Sequence, residues 1–299
     1  MSFTIAESVD EALAALAAGA RPIAGGTDLV VGTRQGTAHL PASLVAIDRL
    51  DELSHIESGK HGIRIGATVT HSRLMIEPTI VSDYTALADA AALVGSPSTR
   101  NIGTLGGNVM NASPAMDTGA PLMVLGAVVQ LRSTAGLRAV KLSDLWTGPG
   151  QTSAAADELC VAIEIPSRPA RSGSAYVRLE YRRAMEIAVV GAAASVTLAD
   201  DGTILDGSVA LTAVAPTIIE VDDAGTSMTG QLPDAAATTI AIVASEVARP
   251  ISDIRASESY RRHTVGVMAA RAVDAAARRA SGEEIGVPVN RAIGVGASL

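Results

Sequence analysis

The chain has 299 residues, 48% hydrophobic and 18% charged, with 23 Lys and Arg against 31 Asp and Glu for a formal charge of −8. This suits roughly two folded domains of about 150 residues each and excludes a disordered tail. Its one cysteine, Cys160, excludes an internal disulfide, a thiolate zinc site and an iron–sulfur cluster on this chain, and a net-negative chain with six aromatic residues is a poor nucleic-acid binder.

In chain order, the N-terminus Met1–Glu7 carries no basic segment leading into an apolar run, so no signal peptide is read and a cytoplasmic location is expected. Ser8 followed by Glu11 has the capping-box pattern for a helix that ends near Gly19. Short strands are predicted at Arg21–Ala24 and Leu44–Asp48, giving a small α/β unit over the first fifty residues. The alternation in Gly62–Val69 predicts a strand, and apolar spacing predicts a helix over Ser82–Leu93. A glycine-rich stretch runs from Asn101 to Asp117, with strands predicted at Gly126–Leu131 and Leu159–Ile165.

The Pro-, Ser- and Gly-rich segment 166–174 marks a domain boundary. Beyond it, strands are predicted at Ala175–Tyr181, Val189–Leu198 and Gly207–Thr212, with a tight turn at Asp201-Gly202. Two helices follow, over Pro233–Ala248 and Ser257–Ala280. The fold class is α+β. No apolar run is long enough to span a membrane, and the five histidines include no i, i+4 pair suited to a metal.

Two paired-glycine segments carry the strongest functional signal: Ala24-Gly25-Gly26-Thr27-Asp28-Leu29 and Thr104-Leu105-Gly106-Gly107-Asn108. Glycine pairs let backbone approach a ligand and turn successive N–H groups inward as an anion nest. No Lys or Arg lies in 22–33 or 101–131, so a diphosphate held there relies on amide dipoles, with Thr27, Thr104 and Asn108 adding polar contacts. Neither segment is a G-x-G-x-x-G fingerprint or a P-loop. Asp117 suits a bidentate acceptor for ribose or ribityl hydroxyls, or alternatively a cap for the apolar segment 120–125.

These segments, with Ile65-Gly66-Ala67, Asn101-Ile102-Gly103 and Ser113-Pro114-Ala115-x-Asp117, resemble in order the FAD-binding medium subunit of molybdenum hydroxylases, the xanthine and carbon monoxide dehydrogenase group. Tyr181-Arg182-Arg183-Ala184-Met185-Glu186-Ile187-Ala188 and Asp253-Ile254-Arg255-Ala256-Ser257-x-x-Tyr260-Arg261 resemble motifs of that subunit's C-terminal domain.

The resemblance implies a two-part FAD-binding domain of the vanillyl-alcohol oxidase/PCMH type over 1–166, divided at about residue 52. It also implies a C-terminal domain over 174–285 with a three-stranded antiparallel sheet and helices. It implies that Ile23, Ala24, Gly25, Gly26, Thr27, Asp28 and Leu29, with Thr104, Gly106, Gly107 and Asn108, hold the FAD diphosphate, and that Asp117 contacts FAD. Val94, Cys160 or Val161, and Arg178 fall at positions near the flavin, and Ile187 lies where some relatives place an aromatic ring. Arg178 stands where Lys is frequent, a change that keeps charge and alters geometry. NAD binding does not carry over.

The implied activity is electron transfer. A large subunit with a molybdenum cofactor and a small subunit with [2Fe–2S] clusters form a dimer of heterotrimers with this chain, and electrons leave through FAD to an external acceptor. A stand-alone FAD-dependent oxidoreductase of the same fold is the alternative; a subunit with a decayed flavin site is a third reading, opposed by the intact glycine segments and Asp117. Read without the resemblance, Cys160 is a buried inert thiol, and Arg178, Arg182 and Arg183 a solvated strand face. His71 has two readings, a residue approaching the flavin segments or, favoured over it, a helix-start polar residue. Arg255, Arg261, Arg262 and Arg271 are read as surface or interface charges.

Overall fold

The computed structural model describes residues 2–36, 39–182 and 184–294. The N-terminal unit contains β1 (Ser2–Ile5), α1 (Val9–Ala17), β2 (Arg21–Ile23), α2 (Thr27–Arg34) and β3 (Ser43–Ala46). Its three strands form a parallel sheet in the order β1-β3-β2. Ser8 caps α1 through the Glu11 N–H, and Glu11 returns a bond to the Glu7 N–H, so the capping box closes one residue early. Val9, Leu13 and Leu16 bury one face of α1 against Val45, Ile47 and Leu53.

The second unit begins with β4 (Ile56–Gly59) and β5 (Gly62–Gly66). Six helices follow: α3 (His71–Leu74), α4 (Pro78–Asp83), α5 (Thr85–Leu93), α6 (Pro97–Ile102), α7 (Leu105–Asn111) and α8 (Gly119–Val124). Then come β6 (Val128–Ser133), β7 (Gly136–Lys141), α9 (Leu142–Leu145), β8 (Trp146–Gly148), β9 (Gln151–Thr152) and β10 (Leu159–Pro166). The main sheet runs β4-β5-β10-β6-β7 and is antiparallel throughout.

Two expectations change here. The helix predicted over Ser82–Leu93 is two helices. Tyr84 leaves helical geometry (φ −127°, ψ 41°), buries its ring and donates its hydroxyl to the Pro166 carbonyl at 3.3 Å. The glycine-rich stretch also holds helices, because Ser96 caps α6 with Pro97 behind it and Thr104 caps α7.

The C-terminal unit contains β11 (Ser172–Leu179), β12 (Val190–Leu198), β13 (Ile204–Thr212), β14 (Ile219–Glu220), α10 (Ala224–Met228), α11 (Pro233–Val247), α12 (Glu258–Ala280) and α13 (Val289–Ala292). Its antiparallel sheet has four strands, β11-β12-β13-β14, where three were expected. The added strand is two residues long, too short to leave a periodicity. Both faces of the sheet are covered: Ala175, Val177, Ala192 and Ala194 face α11 and α12, while Tyr176, Ala193 and Ala210 join the core of the preceding unit. Two-sided burial explains why β12 is an almost unbroken run of small apolar residues.

Two arginines read as exposed are buried. Arg261 donates to the Val189 and Ala213 carbonyls and to Asp253, holding β12, β13 and the 253 segment together. Arg178 is fully buried on β11. A second buried pair, Arg279 with Asp89 at 2.6 Å, ties α12 to α5, and Asp89 also accepts from the Tyr176 and Val289 N–H groups. Arg183 lies outside the described residues. No described helix is long and apolar enough to cross a membrane.

Candidate functional site

A cavity of about 940 Å³ opens where the three units meet. That volume lies at the upper end for ligand sites and suits a molecule of dinucleotide size. Its walls come from the β2–α2 turn, the first turns of α7, the segment Ser113–Asp117, the approach to β10 and the loop after β11.

The β2–α2 turn is held by backbone crowding. A Cβ on Gly25 would sit 2.0 Å from the Ile102 carbonyl oxygen, so only glycine lets this turn touch the α6–α7 junction. Gly26 takes φ +66° as the residue before α2, a left-handed conformation that favours glycine. Among the described residues no side chain caps α2. The N–H groups of its first turn, at Thr27, Asp28 and Leu29, therefore await a ligand or water. All three residues line the cavity, as do Ile23, Ala24, Gly25 and Gly26.

The second glycine segment differs from the expected amide nest. Leu105 donates its N–H to the Val69 carbonyl, Gly106 to Ala67, and Gly107 to the Thr104 hydroxyl at 3.1 Å. Those amides are already used by the protein. The segment instead offers the bare exposed edge of Gly107 and the amide of Asn108, whose Oδ1 accepts from Thr118 at 2.6 Å, leaving its NH₂ group for a ligand. Thr104, Gly106, Gly107 and Asn108 all line the cavity. Gly106 is needed for packing, since a Cβ there would meet the Ala67 side chain at 2.6 Å.

Asp117 reaches the cavity and does not cap α8, which begins after Thr118 without a side-chain cap. Its Oδ1 accepts from the Tyr176 hydroxyl and its Oδ2 from Arg178, each at 2.8 Å. Burial raises the Asp117 carboxyl above its ordinary value, opposed by the guanidinium and the tyrosine hydroxyl. Arg178 itself does not line the cavity. It forks onto Glu180, grips Asp117, and donates to the Glu186 carbonyl at 3.4 Å, so it acts through two residues of the wall. Its own burial opposes the charge, and the surrounding Asp117, Tyr176 and Glu180 outweigh that and hold it protonated.

The strand pairing is irregular between Cys160 and Ala162, and it separates Cys160 from Val161. Cys160 lines the cavity, whereas Val161 turns into the core of the N-terminal unit beside Leu159. Burial pushes the Cys160 thiol up to about 12. The native chain is therefore expected to resist a thiol-specific disulfide reagent at pH 8, with one thiol released on denaturation; rapid native labelling would contradict this burial.

Val94 lines the cavity with its carbonyl held by Arg100 at 2.9 Å. Ile187, Met185 and Glu186 form the opposite rim. Asp28 is open to the cavity mouth, and desolvation by surrounding atoms still raises its carboxyl. The sequence favours a helix-start polar role for His71. It does begin α3, but its ring is buried and borders the cavity.

Residues 1–168 match the family described as the FAD binding domain in molybdopterin dehydrogenase, and 175–276 match the CO dehydrogenase flavoprotein C-terminal domain. This chain is a member of the FAD-binding medium subunits of the molybdopterin dehydrogenases. The carbon monoxide dehydrogenase medium chain of Afipia carboxidovorans is 33% identical over 264 residues, covering 87% of this chain and 90% of that one. The xanthine dehydrogenase FAD-binding subunit of Escherichia coli O157:H7 is 30% identical over 269 residues, covering 88% and 91%. Among solved structures, carbon monoxide dehydrogenase from Hydrogenophaga pseudoflava superposes with a TM-score of 0.88 at 29% identity, covering 93% of this chain and 98% of that one.

Like them, this chain is a flavoprotein subunit of a molybdenum-containing dehydrogenase. Its cavity fits FAD on physical grounds. An uncapped helix start suits a diphosphate, a glycine cradle admits backbone-close approach, and a buried carboxylate with spare lone pairs suits ligand hydroxyls.

Proposed function

We propose that this chain is the FAD-carrying electron-transfer subunit of a multisubunit molybdenum hydroxylase, passing electrons from partner [2Fe–2S] clusters to an external acceptor. Family membership over nearly the whole chain, joined to the uncapped start of α2 inside a dinucleotide-sized cavity, carries this reading. When bound, FAD supplies a centre that exchanges electrons singly with clusters and in pairs with an acceptor.

The chain's own residues hold and orient that group. The N–H groups of Thr27, Asp28 and Leu29 face the diphosphate, with Ile23, Ala24, Gly25 and Gly26 shaping the turn. Thr104, Gly106, Gly107 and Asn108 close the second side. Asp117 accepts from ligand hydroxyls, while Arg178 and Tyr176 fix its position. Val94 and Cys160 supply aliphatic and thiol surface against the ring system, in a chain with few aromatics.

In this proposal the molybdenum cofactor sits on a large partner subunit and the iron–sulfur clusters on a small one, assembled as a cytoplasmic dimer of heterotrimers. The FAD-binding part spans 1–166 and the C-terminal domain 174–285. Affinity purification of the full chain from its native host tests this. Co-eluting large and small subunits with Mo, Fe and one FAD per copy of this chain are expected. Substrate turnover by the isolated chain, or no co-eluting metalloprotein, would overturn it.

A further inference from the structure

His71 is 2% exposed, yet its buried Nδ1 has no hydrogen-bond partner among the described residues. Nδ1 is sealed inside the protein, while the residue borders the cavity. The ring's Cδ2, next to Nε2, lies 3.3 Å from the point a Cβ would occupy at Gly103, and the Thr27 hydroxyl lies 3.6 Å from that same point. The backbone ties the two segments further, with the His71 N–H donating to the Gly103 carbonyl at 3.1 Å. His71, Gly103 and Thr27 thus share one corner of the cavity, beside the uncapped start of α2.

We propose that His71 is a neutral hydrogen-bond donor, through Nε2–H, to the diphosphate of the bound dinucleotide. This rests on the flavin reading above and adds a residue to it. The tautomer follows from the sealed Nδ1. A proton there would be a buried donor without an acceptor, which costs more than an idle lone pair. The imidazolium is disfavoured for the same reason.

The surroundings agree. Arg100 on α6 opposes a positive ring, and burial together with Arg100 lowers the His71 pKa to about 4. On α5, Asp89 is engaged by Arg279. On α3 itself, Arg73 pairs with Glu77 at 3.7 Å. Asp28 on α2 is a further charged group beside this corner of the cavity. The donor is therefore uncharged at neutral pH, beside two segments, 22–33 and 101–131, that carry no Lys or Arg.

The test uses the full chain stripped of flavin and titrated with FAD, ADP and riboflavin. His71→Phe is expected to weaken FAD and ADP about tenfold, the scale for one hydrogen bond to a charged group. Riboflavin, which lacks the diphosphate, is expected to bind unchanged. His71→Gln, whose amide places an N–H near the Nε2 position, is expected to bind FAD and ADP within about threefold of wild type. In the ¹⁵N-histidine spectrum of the FAD-bound wild-type chain, His71 is expected as the neutral Nε2–H tautomer from pH 6 to 8, a readout that does not depend on the folding of any variant. Unchanged ADP binding in His71→Phe, failure of Gln to rescue, or a protonated ring at pH 6 would overturn the inference. Failure of the wild type to take up FAD or ADP would instead remove the flavin reading itself.

Discussion

Replacing Gly25 by alanine is expected to leave the purified chain colourless. The new methyl would need the space of the Ile102 carbonyl, 2.0 Å away, with the carbonyl carbon at 2.6 Å. Both are backbone atoms of the α6–α7 junction, so no rotamer change relieves the clash; one segment must move. Overpacking of this kind costs about 1–3 kcal/mol. The larger effect is on binding, because the displaced turn carries the Thr27, Asp28 and Leu29 N–H groups. FAD affinity is expected to fall by about a hundredfold or more, at roughly 1.4 kcal/mol per tenfold.

Gly107→Ala is the control. Its methyl meets the Thr104 hydroxyl at 2.8 Å and nothing else nearby. Loss of the Thr104 cap, about 1 kcal/mol, offsets the helix propensity gained over glycine. That variant is expected to fold with nearly unchanged thermal stability. Equal flavin content in wild type and Gly25→Ala, measured as absorbance near 450 nm per chain, would contradict the proposed role of the turn.

The second large effect is expected from Arg178→Met. Arg178 is fully buried and is shared between Asp117 and Glu180, both nearly as buried. Removing it leaves two carboxylates without their cation, a loss of about 3–5 kcal/mol. Thermal denaturation is expected to drop by roughly 10 °C, at about 2–4 °C per kcal/mol.

The pH dependence has a definite sign. Burial already raises the Asp117 carboxyl, and without the guanidinium nothing of comparable strength opposes that rise. A carboxyl with its folded-state pKa above the unfolded value favours the folded state at low pH and loses that contribution as pH climbs through the folded value. The variant is therefore expected to be closer to wild type at pH 5 than at pH 8. A deficit that stays constant or grows on acidification would argue against Asp117 as the stranded group. Arg178→Lys keeps the charge but not the fork that reaches both carboxylates, so an intermediate loss is expected.

The sequence carried the long elements because their signals are redundant. The α1 capping box, the almost unbroken apolar run of β12 and the alanine-rich α12 each coincide with a structural element. What escaped was short or set by distant contacts. β14 has two residues, and the break at Tyr84 depends on a carbonyl at Pro166, 82 positions away.

At the site, glycine pairing and Asp117 were legible because close backbone approach needs glycine and a buried hydroxyl acceptor suits a carboxylate. Whether an amide is free was not legible. Gly106 and Gly107 resemble Gly25 and Gly26 in sequence, but their N–H groups are taken by Ala67 and Thr104. The burial of Arg178 and Arg261 was likewise hidden, since their partners Asp117, Val189 and Ala213 lie 48 to 72 residues away. His71 carried no local signal beyond its place after Thr70; its position beside Gly103 is set by residues about thirty positions further on.

The central claim is that the uncapped start of α2 and the surrounding cavity hold one FAD. Titrating the flavin-free full chain with FAD while following flavin fluorescence, then counting bound flavin after gel filtration, tests it directly. The account predicts saturation at one FAD per chain, abolished in Gly25→Ala. A wild-type chain that takes up no FAD, or a Gly25→Ala chain that saturates like wild type, would contradict it.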